Sequence, residues 1–101
     1  MSDCPKCKER FKEEKRGEEL DQNLLKRLNR ISGQINGVKT MVSENRYCAD
    51  ILMQISAIES ALKEVGYIVL KNHLSTCVAS DIVEGNYDSI DEAIELIRRM
   101  K

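Results

Sequence analysis

Tryptophan is absent from this chain, proline and histidine occur once each, and Phe and Tyr make up only 4% of its 101 residues. A core built around large rings is therefore excluded, and with the single proline at position 5 nothing downstream breaks a helix on that account. No run approaches the roughly 18 consecutive apolar residues that would span a bilayer. The charged N-terminus lacks the apolar stretch of a secretory signal, so a cytoplasmic location without a membrane partner is expected. With one histidine, no glycine-rich phosphate loop and no nucleophile–base pair at motif spacing, there is no constellation for catalysis, and the chain is read as a non-enzyme. What is present is 42% apolar residues, dominated by Leu, Ile and Val, without a competing strand signal. That is the profile of an all-α protein, a single domain whose modest core is completed by association.

Residues 1–19 are dense in Lys, Arg and Glu, with Phe11 as the one large apolar residue, and read as a mobile charged arm. The arm carries Cys4-Pro5-Lys6-Cys7, half of a tetrahedral zinc site with no second half nearby. From Leu20 to the C-terminus the pattern is that of one helical domain. Leu20, Leu24, Leu28, Ile31, Ile35, Val38 and Val42 form a heptad-like seam on a first helix. Gly33 and Gly37 share another face, where a second helix could approach closely. After the polar Ser43-Glu44-Asn45-Arg46, a second helix begins at Cys48 or Ala49, carrying Ile51, Leu52, Ile55, Ile58, Leu62, Val65, Val69 and Leu70 on its stripe. It ends near Glu84, where Gly85-Asn86 supplies a left-handed residue. A short third helix, capped by Asp88 or Ser89, turns Ile90, Ala93, Ile94, Leu96 and Ile97 inward. The expected architecture is three helices per chain, with the long ones of two chains forming an antiparallel four-helix core.

Four cysteines in a reducing compartment favour metal binding or redox sensing over a disulfide framework. His73 and Cys77 are four residues apart, which places imidazole and sulfur one turn apart on one helix face. With Cys48 they make two thiolates and one imidazole, a soft set that suits Cu(I) or Zn. Taken singly, a cysteine on an apolar face is ordinarily a small buried hydrophobe and a lone histidine ordinarily structural. The set is held together by geometry. Along a continuous helix Cys48 and His73 are separated by roughly 37 Å, so one chain cannot close the site, whereas two antiparallel copies can.

Net charge is −1, but its distribution is uneven. Residues 20–48 hold five basic side chains (Lys26, Arg27, Arg30, Lys39, Arg46) against two acidic (Asp21, Glu44), 5 − 2 = +3, whereas residues 49–84 hold Lys63 and Lys71 against five acidic groups, 2 − 5 = −3. Segregation of this kind is compatible with an ordinary solvated face and also with a basic surface for nucleic acid.

Three segments carry a resemblance: Arg27-Leu28-Asn29-Arg30-Ile31-Ser32-Gly33-Gln34-Ile35-Asn36-Gly37, then Arg46-Tyr47-Cys48-Ala49-Asp50-Ile51-Leu52-Met53-Gln54-Ile55-Ser56-Ala57, then His73-Leu74-Ser75-Thr76-Cys77-Val78. Over roughly residues 20–101 the chain resembles the CsoR family of copper-sensing repressors, which includes nickel/cobalt, formaldehyde and persulfide sensors. The Cys48, His73, Cys77 pattern is similar to that of its copper-sensing branch. The resemblance implies Cu(I) held by Cys48 of one subunit and His73 and Cys77 of the other, with Tyr47 and Glu95, chosen over Glu92, as outer groups. It also implies a dimer of dimers that binds operator DNA when metal-free and releases it on copper binding. Lys26, Arg27 and Arg30, with Lys63 and Lys71, would be the DNA contacts. Two other readings remain open: a thiol/persulfide- or electrophile-sensing repressor in which Cys48 and Cys77 become cross-linked by an oxidant, persulfide or electrophile, and a metal-sequestering bundle with no DNA role.

Overall fold

The computed structural model describes residues 17–100, and these are helical, with no strand among them. Helix α1 (Glu18–Ser43) and helix α2 (Cys48–His73) have 26 residues each. A π-helical segment, Leu74–Val78, continues α2 and runs directly into a short α3 (Ala79–Val83). Helix α4 (Asp88–Arg99) follows. Three helical rods are thus present, as the apolar periodicity predicts. The CxxC pair and most of the expected arm lie outside the described residues. The first helix starts at Glu18, so residues 18 and 19 belong to it, and Glu18, Glu19 and Asp21 in its first turn complement the positive end of the helix dipole.

Both chain reversals are built by hydrogen bonds that the sequence signals. After α1, Asn45 takes φ 57°, its N–H donates to Val42 O, and Arg46 N–H donates to Met41 O at 2.9 Å. After α3, Gly85 takes φ 85°, its N–H donates to Ile82 O, and Asn86 N–H donates to Asp81 O at 2.8 Å. Each is a Schellman closure that satisfies otherwise orphaned carbonyls. The start of α4 departs from expectation. Neither Asp88 nor Ser89 caps it by its side chain: Tyr87 is the N-cap, and Asn86 Oδ1, two residues upstream of Asp88, accepts the Asp88 N–H.

The described residues divide into two compact units, 18–66 and 67–100. In the first, Leu24 and Ile31 of α1 and Ile58 and Val65 of α2 are buried, each pair seven residues apart and so on one face of its helix. Other members of the expected stripes are open: Leu28, Ile35, Ile55 and Leu62 are all classed as exposed, and Leu52 is 64% exposed. Gly33 and Gly37 have nothing within 4 Å of where a Cβ would stand, so the close helix approach expected there is not made among the described residues.

In the second unit the buried residues are Cys77, Val78, Asp81, Ser89 and Ala93. The inward face of α4 is therefore Ser89 and Ala93, flanked by half-buried Glu92 and Leu96, and Ile90, Ile94 and Ile97 face out, correcting the expected orientation. A tight reversal over residues 84–87 precedes α4, and these three isoleucines are 39–46% exposed. Asp81 and Ser89 are 2% and 1% exposed, and Asp81 Oδ2 and Ser89 Oγ make no hydrogen bond among the described residues.

Within the π-segment a turn is one residue wider than in an α-helix. Ser75 Oγ donates to Lys71 O and Thr76 Oγ1 to Asn72 O, both at 2.8 Å, so these hydroxyls occupy carbonyls at the point where the ladder changes register.

Two stability measurements check these devices. Because nothing crowds Gly85, Gly85→Ala isolates the cost of a left-handed alanine and should lower unfolding free energy by about 1–2 kcal/mol in denaturant titration. Thr76→Val, which keeps shape and removes the hydroxyl, should cost about 1 kcal/mol in the same assay.

Candidate metal centre and nucleic-acid interface

Cys48 is the first residue of α2 and is exposed. Its position follows from the Schellman turn before it: Tyr47 O accepts the N–H groups of Asp50 and Ile51, which starts the helix at the thiol. Tyr47 itself is 74% exposed. His73 is the last residue of α2 before the register changes, and it is half-buried. Cys77 lies inside the π-segment and is only 4% exposed. Both His73 and Cys77 are engaged by neighbouring polar or charged groups.

The π-turn bears directly on the donor pair. Four residues overshoot a full α-turn, since 3.6 complete it, but fall short of a wider π-turn. His73 and Cys77 stay on one side of the rod in either case. The sequence spacing identified the pair; it did not reveal the turn, because Leu74-Ser75-Thr76 contains neither glycine nor proline. Among the described residues, no three His, Cys, Asp or Glu side chains of one chain gather as a metal site.

Of the two outer carboxylates considered, Glu95 is exposed on α4, whereas Glu92 is half-buried on the side of Ser89 and Ala93 and takes part in a polar or electrostatic interaction. Local sequence spacing did not distinguish the exposure of the two; the rotation of α4 makes Glu92 the more buried.

The basic residues fall on two helices. On α1, Lys26 and Arg30 are exposed and Arg27 is half-buried, with its Nε–H donating to Asn23 Oδ1 at 3.2 Å. Lys63 and Lys71 are exposed on α2. Asn23 was not among the residues singled out from sequence, although an Asn one turn before an Arg is a recognisable helical pair. No helix among the described residues is long and apolar enough to cross a membrane.

The family described as metal-sensitive transcriptional repressor matches residues 20–99. The chain is 41% identical over 86 residues to the copper-sensing transcriptional repressor CsoR of Bacillus subtilis, covering 84% of each. It is 48% identical over 63 residues to the copper-sensing transcriptional repressor RicR of Mycobacterium tuberculosis, covering 62% of this chain and 66% of that one. The crystal structure of the copper-sensing repressor CsoR with Cu(I) from Geobacillus thermodenitrificans superposes with a TM-score of 0.78 at 46% identity, covering 85% of this chain and 91% of that one. The nickel-responsive transcriptional regulator InrS also matches, with a TM-score of 0.69 at 41% identity, covering 79% and 91% respectively. With the match spanning both long helices and α4, this chain belongs to the metal-sensitive transcriptional repressor family and is not an enzyme.

Proposed function

We propose that the chain is a Cu(I)-responsive transcriptional repressor that holds operator DNA when metal-free and releases it when copper binds. The observation that carries this reading is the donor set. Cys48 opens α2 and His73 and Cys77 lie at its far end, in a chain 41% identical to a copper-sensing repressor. The residues fit the metal by their chemistry, because two thiolates and an imidazole are soft donors that favour Cu(I) and suit hard oxygen-seeking cations poorly. When bound, Cu(I) supplies a low-coordinate centre linking these side chains.

The subunit arrangement follows from the same spacing. An unbroken helix keeps Cys48 and His73 apart, so the reading assigns Cys48 to one subunit and His73 and Cys77 to its partner, in a dimer that pairs into a tetramer. Exposed Leu25, Leu52, Leu62, Ile90 and Ile94 support association, because apolar area on this scale is seldom left uncovered. Tyr47 and Glu92 are the outer groups in this reading; half-burial supports Glu92 over Glu95. A carboxylate near a ligand imidazole fixes its tautomer and orientation and ties α4 to the metal state. The chain's own task is to make the DNA-released arrangement the better copper binder, and a coupling of about 1–3 kcal/mol is the usual size.

Lys26, Arg27 and Arg30 on α1 and Lys63 and Lys71 on α2 are the DNA contacts in this reading. Cations of this type contact phosphates, which position the protein, while sequence discrimination rests largely on groove shape.

Anaerobic Cu(I) titration should show one ion per chain, and Cys48→Ser, His73→Ala and Cys77→Ser should each weaken binding by at least about tenfold and abolish copper-dependent release in a gel shift. Release that survives His73→Ala would instead identify a thiol switch. Affinity for a duplex from the gene's own upstream region should fall steeply with salt. Arg27→Ala should weaken it and reduce the salt slope by about one; unchanged binding would leave a metal-sequestering bundle as the better reading.

A further inference from the structure

We propose that Asn23 is a positioning residue for DNA binding, holding the Arg27 guanidinium in the orientation that meets a phosphate. The proposal rests on the reading of Arg27 as a DNA contact and adds a residue to it. Arg27 Nε–H donates to Asn23 Oδ1 at 3.2 Å across one turn of α1, and the Arg27 side chain is half-buried. The bond is exposed, and it anchors the Nε edge one turn back along the helix, which narrows the freedom of the guanidinium.

Five N–H donors of a guanidinium form a planar fork. With Nε–H committed to Asn23, the four donors on the two Nη atoms remain for an incoming anion, and that outer edge matches the two oxygens of a phosphate in a bidentate contact. Ordering the side chain before DNA arrives lowers the rotamer entropy lost on binding. The choice of an amide is chemically apt. A carboxylate at this position would accept the same hydrogen bond while cancelling the charge that attracts the phosphate, whereas the neutral Asn23 carbonyl orients Arg27 and leaves its charge intact. Lys26, a point charge on a flexible stem, cannot be anchored in this way.

A double-mutant cycle on the full-length protein tests this, read by fluorescence anisotropy of a labelled duplex from the gene's own upstream region. Asn23→Ala in the native background should weaken binding by about 3- to 10-fold, with far-UV circular dichroism and copper binding unchanged. In the Arg27→Lys background, where no Nε–H fork exists, adding Asn23→Ala should change affinity by less than about 2-fold. Equal losses in both backgrounds would overturn the proposal, since Asn23 would then act on DNA or on the fold by itself. No loss in the native background would overturn it while leaving Arg27 as a contact. If Arg27→Lys and Arg27→Ala both leave binding intact, the reading of Arg27 falls and this inference falls with it.

Discussion

An α-helix cannot bring its own ends together. Cys48 opens a 26-residue helix that His73 closes, so two of the three soft donors are held apart by the stiffest element in the chain. Hydrogen bonds within the rod enforce that separation at every turn. On the proposed reading the three donors come from two copies, which would link copper binding to the arrangement of subunits, the kind of two-state element a sensor requires.

The described residues bury few side chains. Unit 18–66 closes over Leu24, Ile31, Ile58 and Val65, and unit 67–100 over Cys77, Val78, Asp81, Ser89 and Ala93. Cores of this size provide little hydrophobic stabilisation by themselves. The second contains a carboxylate oxygen and a hydroxyl with no hydrogen bond among the described residues, each of which costs free energy when kept from water. Stability is thus left to be completed by the apolar faces that remain open, and Cys77 sits in the second of these cores.

Much of this was legible in the sequence, for identifiable reasons. The seam from Leu20 to Val42 and the stripe beyond Cys48 repeat at helical period, and helices form there. Gly85 stands where a left-handed residue is needed, and its φ of 85° closes the rod. Elsewhere local signals ran out. The π-segment has no breaker residue to announce it; it is visible only in the register of hydrogen bonds around Ser75 and Thr76. Asp81 reads as a surface acid and is 2% exposed. Ile90, Ile94 and Ile97 read as core and point outward, because periodicity reports which face prefers burial and not which molecule buries it.

The sequence alone determined the helical class, the places where the rods end, and the chemistry and spacing of the donors, because these depend on local periodicity, turn residues and ligand softness. Tertiary structure decided which way α4 turns, hence that Glu92 and not Glu95 lies on its inner side, and that Arg27 is anchored by Asn23. Those outcomes depend on how a rod is rotated against its neighbours, and a rotation about a helix axis leaves the one-dimensional pattern of residues unchanged.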